Sequence, residues 1–136
     1  MEIKYYIVEF LVRLFCGIIF LFQGYDKLFT VKIAGVVDSF SLDASKLHVP
    51  KFFIFIVAFA TSIIEFLGGV MLILGLYKNI TLTLLGIDIL IVTVAFSYLN
   101  PIWDMKHVFP RLLLIVMLMM MPNEWFHFSL EKLLLK

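Results

Sequence analysis

The sequence has 136 residues, 63% of them hydrophobic, and a formal net charge of +1. Its mean hydropathy is +1.09, whereas a soluble domain sits near half apolar, so a water-soluble globule is excluded and a single membrane domain over 1–136 is expected. The near-zero charge leaves no electrostatic footprint for nucleic acid, and the single cysteine, Cys16, excludes both an internal disulfide and a self-contained dithiol pair.

A spanning helix needs about 20 mostly apolar residues at ~1.5 Å rise each. Four segments meet or approach this, at about 5–29, 49–75, 79–99 and 105–121. The predicted fold is therefore all-α, a polytopic membrane four-helix bundle. The first segment is long, shows no early small-residue cleavage site, and reads as a retained span rather than a signal peptide. Cys16, in its apolar run, reads as a small buried hydrophobe.

The connection 30–48 interleaves Lys32, Asp38, Asp43 and Lys46 with Val36, Val37, Phe40, Leu42 and Leu47. That mixture predicts an interfacial helix after the first span. Gly75 is a helix stop and Asn79 a cap at the next tight turn. Asn100-Pro101 reads as a cap with a first-turn proline, Trp103 as a headgroup-level anchor, and Pro110 as a bend. After Pro122-Asn123, residues 124–136 set Trp125, Phe126, Phe128, Leu130, Leu133 and Leu134 against Glu124, His127, Glu131 and Lys132. The expectation is an amphipathic C-terminal helix at the interface, or a docking strip for a partner.

Four spans put both termini on one side, but lysines on the two sides nearly balance, so charge alone leaves the orientation open. Ionisable residues inside spans are costly and normally face the bundle interior. Here they are Arg13, Glu65, Asp88 and Arg111. Counted from the side of the termini, helical rise places them ~12, ~15, ~14 and ~15 Å deep. One charge from each helix at one level, summing to zero, predicts a buried ionic cluster. It would either fix helix register or floor a polar site.

Glu9, Arg13, Gly17, Phe20, Gln23, Gly24 and Lys27 share one face of the first helix, and Thr61, Glu65, Gly68, Gly69, Leu72 and Gly75 one face of the second. Gly17, Gly24, Gly68, Gly69 and Gly75 are expected to permit close helix packing. At the far end, Gln23, Tyr25 and Lys27, with Asp104 and His107 near, form a candidate mouth for a polar head such as a quinone carbonyl. Lys27 and Tyr25 read equally as interfacial anchors. His48, His107 and His127 lack metal-ligand spacing, so no metal site is expected. No catalytic motif is present.

Leu11-Val12-Arg13-Leu14-Phe15, Gly17 and Phe20-Leu21-Phe22-Gln23-Gly24-Tyr25-Asp26-Lys27-Leu28-Phe29 resemble the first helix of DoxX-like proteins. Ile64-Glu65-Phe66-Leu67-Gly68-Gly69 and Leu72-Ile73-Leu74-Gly75-Leu76 resemble that family's second helix. The resemblance covers about the first 80 residues. It implies a bacterial inner-membrane bundle with cytoplasmic termini and an association with redox work. Members include a subunit of thiosulfate:quinone oxidoreductase and proteins that support disulfide formation or partner maturation. Without a cysteine pair or a haem or flavin motif, the expected role is an accessory subunit that anchors, assembles or supports a partner protein or homo-oligomer, with quinone or lipid as the candidate ligand. The alternatives are a quinone-interacting oxidoreductase subunit and a small transporter, the latter requiring a buried acid without a basic partner.

Overall fold

A computed structural model describes residues 2–44, 50–99 and 105–135, with backbone alone for 39–44, 96–99 and 105–107. The described residues are mostly helical and contain no strand. Helix α1 (Ile3–Tyr25) runs on through a π-helical turn, Asp26–Thr30, and is followed by α2 (Lys32–Ala44), α3 (Lys51–Leu74), α4 (Lys78–Leu99), α5 (Met105–Met120), a 3-10 turn (Asn123–Trp125) and α6 (Leu130–Leu134). Lys46, His48, Asn100, Pro101, Trp103 and Asp104, and the side chains of Phe40, Leu42, Asp43 and His107, lie outside the described residues.

Among the described residues, three helices are long and apolar enough to cross a membrane: Ile3–Thr30, Lys51–Leu74 and Lys78–Ala95. Helix α5 is shorter, with an apolar run over Val108–Met120 and Pro110 inside it. The distribution of side chains is that of a protein in lipid. Phe15, Phe22, Phe52, Ile87, Leu90 and Met120 are exposed, while Glu9, Arg13, Glu65, Lys78 and Asp88 are buried. Hydrocarbon favours this arrangement, because apolar side chains lose nothing outside and charges are kept away from lipid inside.

Packing centres on the antiparallel pair α1 and α3. A Cβ at Gly17 would lie 3.0 Å from the Gly69 carbonyl, and one at Gly24 would lie 2.7 Å from Phe66 Cα. The two backbones therefore touch over two turns, and only glycine fits there. A Cβ at Gly68 would strike Leu85 of α4 at 2.7 Å, so the same helix packs closely on both sides. Cys16, Phe20, Leu72, Leu82, Leu85, Ile89, Ile115 and Leu118 fill the space between α1, α3, α4 and α5. Helix α2 packs on α3 beside the π-helical turn.

These contacts set an offset. Gly24 lies level with Phe66 and Gly17 with Gly69 and Ile73, so Arg13 comes level with Gly75, where α3 ends. Gly75 closes α3 in the left-handed conformation, φ +68°, with its N–H donating to the Leu72 carbonyl. The first ten or so residues of α1 thus project about 15 Å beyond α3. That projection is not bare. Trp125 stacks on Tyr5 at 4.8 Å, His127 on Tyr6 at 4.9 Å, and Phe128 meets Phe10 edge-on at 5.8 Å.

The C-terminal segment therefore departs from the single amphipathic helix expected over 124–136. It is a 3-10 turn, an irregular stretch with tight turns closed by His127 N–H to the Trp125 carbonyl and Ser129 N–H to the His127 carbonyl, and the five-residue α6, which Ser129 caps by accepting from the Lys132 N–H. The physical reason is competition. The Phe128 carbonyl accepts from Arg13 and the Gly75 carbonyl accepts from the Glu131 N–H, bonds that a continuous helix would forfeit.

Candidate functional site: two buried charge layers

The charged side chains collect in two layers. The first surrounds Arg13, which is completely buried. Its Nε donates to both Glu9 oxygens, at 3.2 and 3.3 Å. Nη1 donates to the Leu72 carbonyl at 2.6 Å and to the Ile73 carbonyl at 3.4 Å, and Nη2 donates to the Phe128 carbonyl. One planar guanidinium thus joins α1, the carbonyl end of α3 and the C-terminal segment. The fork geometry allows this, and the negative end of the α3 dipole favours a cation there. Lys78, the first residue of α4, brings its Nζ 3.4 Å from Glu9 Oε1 but makes no hydrogen bond among the described residues. Phe126 covers both cations, its ring centroid 5.0 Å from Arg13 Cζ and 5.4 Å from Lys78 Nζ. Outside this layer the Glu131 carboxylate accepts from the Tyr77 N–H at 2.8 Å, at the start of α4.

The second layer lies some four turns further along α1, about 20 Å away. Lys27 donates to both oxygens of the fully buried Glu65, at 3.0 and 2.8 Å. The lysine comes from the π-helical turn, where the wider winding changes the direction of the following side chains. Its side chain is 22% exposed, so this layer reaches the surface at Lys27. Asp88 of α4 and Arg111 of α5 complete the layer. Asp88 is fully buried and faces Glu65, Lys27 and Arg111 electrostatically. Arg111 faces Glu65 and Asp88 but lies within 4.0 Å of neither among the described residues. Both Asp88 oxygens lack a hydrogen-bond donor among the described residues.

The expected quartet of Arg13, Glu65, Asp88 and Arg111 is therefore split. Glu65, Asp88 and Arg111 come together, but Arg13 belongs to the other layer and Lys27 takes its place. Equal depths require α1 and α3 to end at one level, and the offset between them moves Arg13 to the end of α3. The expected mouth is also altered. Lys27 turns inward to Glu65, while Tyr25 is exposed and packs on Phe29 at 5.0 Å. Residues two apart on a helix point about 200° from each other, so Tyr25 cannot share a face with Gln23 and Lys27. Gln23 is half-buried on the Lys27 side. Glu9 was legible as a member of the polar face of α1, four residues before Arg13. Lys78 carried no such signal, since by sequence it is an ordinary turn lysine.

The DoxX family profile matches residues 8–98. The match takes in Glu9, Arg13, Lys27, Glu65, Lys78 and Asp88 and stops before Arg111 and the C-terminal segment. No curated protein and no solved structure matches the sequence.

Proposed function

The chain belongs to the DoxX family, and on that premise we propose that it is an accessory subunit of the bacterial inner membrane, a four-span bundle with both termini in the cytoplasm. It anchors, assembles or supports a partner protein within a quinone-linked redox complex. The observation that carries this reading is where the charges are spent. Arg13 is bonded to Glu9 and to three backbone carbonyls, and Lys27 to Glu65. These groups hold helices together. What the chain presents outward is apolar helix surface along α3, α4 and α5, and the leucines of the C-terminal segment. Such a surface suits holding a partner in the membrane, where close van der Waals packing drives association.

The test is purification at native expression level in nanodiscs, with mass spectrometry of every protein and small molecule retained. A stoichiometric protein partner supports the accessory role. A quinone retained without any partner, and lost in a folded Gln23→Ala variant, overturns it in favour of a quinone-reacting subunit.

A further inference from the structure

Asp88 stands apart from the other buried charges. Glu9, Arg13, Glu65 and Lys78 each have an oppositely charged group within 4.0 Å, whereas Asp88 has none among the described residues. It is completely buried, and neither carboxyl oxygen receives a hydrogen bond. Glu65 and Asp88 each lie one turn from the Gly68–Leu85 contact, in the same direction along the antiparallel helices α3 and α4, so two fully buried carboxyl groups share one level of the α3–α4 interface. That interface is tight, because Gly68 brings α3 onto Leu85 one turn before Asp88. Two ionised carboxylates offer only acceptors to one another. A carboxyl group beside a carboxylate makes a short, charge-assisted hydrogen bond.

We propose that Asp88 and Glu65 hold one exchangeable proton between them, and that the second charge layer is a proton-binding site. The groups facing it come from each element packed there: Lys27 from the π-helical turn, Glu65 from α3 and Arg111 from α5. Each has a distinct part. Lys27 already donates to both Glu65 oxygens, which fixes Glu65 as the acceptor and Asp88 as the partner that brings the hydrogen. Arg111 acts on both acids electrostatically but forms no ion pair within 4.0 Å among the described residues, so it supplies the counter-charge when the proton is absent. On release, the Asp88 O–H bond breaks, its electron pair stays on the carboxylate, and the proton passes to water on the Lys27 side. On uptake, the carboxylate oxygen of Asp88 regains the proton and the bond to Glu65 reforms. No oxidant, metal or further reactant takes part.

Replacement by asparagine separates this from a permanent Asp88–Arg111 ion pair. Asparagine supplies a fixed N–H donor to Glu65 and copies the protonated acid. In nanodiscs, Asp88→Asn is expected to keep the wild-type melting temperature while losing one pH-dependent step from it. Wild-type protein carrying carbon-13 in its aspartate carboxyl groups is expected to show an infrared C=O band of a protonated, buried acid. That band shifts with the isotope and with deuterium exchange. If Asp88→Asn does not fold, the wild-type spectrum alone decides. Absence of a protonated aspartate band across the physiological pH range overturns the proposal. So does a folded Asp88→Asn protein that melts well below wild type and is restored by a second change, Arg111→Gln.

Discussion

Replacing Arg13 by alanine is expected to cost more stability than any other single change in the chain. The guanidinium is completely buried and serves Glu9, two carbonyls at the end of α3 and the carbonyl of Phe128. Removing one partner of a buried ion pair costs about 3–5 kcal/mol, because the other charge is left without compensation. Lys78 remains 3.4 Å from Glu9 and offsets part of that loss. The Leu72 and Phe128 carbonyls lose their charged donor, at about 1–3 kcal/mol for each group left unsatisfied, which returns the total to the upper part of the range. Domains have only about 5–15 kcal/mol in all, so the folded yield falls sharply. The assay is thermal unfolding by circular dichroism in mild detergent, with limited proteolysis of the C-terminal segment. Proteolysis after Phe126 is expected to quicken in Arg13→Ala before the bundle melts, because that segment loses its attachment first. Arg13→Lys retains a positive charge but not the fork, and is expected to fall between wild type and alanine. An Arg13→Ala protein with the wild-type melting temperature and an equally protected C-terminal segment would refute the argument.

Three further changes probe the remaining contacts. Lys27→Ala leaves the Glu65 carboxylate without its bidentate donor and is expected to cost about 1.5–3 kcal/mol, the worth of hydrogen bonds to a charged group; thermal unfolding in nanodiscs measures it, and an unchanged melting temperature would return Lys27 to the role of a surface anchor. Gly24→Val pushes α1 away from the Phe66 backbone, which cannot yield as a side chain can, and is expected to cost at least about 1–3 kcal/mol; cysteine crosslinking across α1 and α3 should fall with stability. Glu131→Gln weakens a carboxylate at the positive end of α4, where such charges contribute about 0.3–1 kcal/mol; a shift in melting temperature larger than that of Lys27→Ala would contradict the ranking.

Solvent class and helical character follow from the sequence alone. Composition that cannot cover its own surface with polar groups forces apolar side chains outward, and backbone groups in hydrocarbon must then bond within a helix. The inward faces of α1 and α3 were equally legible, because glycine and polar residues recur at helical spacing and Gly17, Gly24 and Gly69 do meet across the pair. Gly75 as a helix stop was legible because a left-handed residue there favours glycine. Charge pairing was not legible to the same degree. Helical rise gives depth along one helix, but a partner is fixed only when the offset and rotation of the neighbouring helix are also fixed.

That offset comes from packing. Gly17 and Gly24 dock on Gly69 and Phe66, so α1 slides past the end of α3 and Arg13 meets the carbonyls of Leu72 and Ile73 rather than Glu65. Lys27 then reaches Glu65, and Asp88 is left without an ion pair within 4.0 Å among the described residues. The C-terminal segment shows the same limit. Its alternation of apolar and charged residues suits a helix, yet Arg13 and Gly75 bond its backbone in an irregular path. Sequence determined that the ionisable residues inside the spans, Arg13, Glu65 and Asp88, must be buried, because that depends on each residue's own cost of leaving water. Tertiary structure decided which of them meet, because pairing depends on the shape of every helix between them.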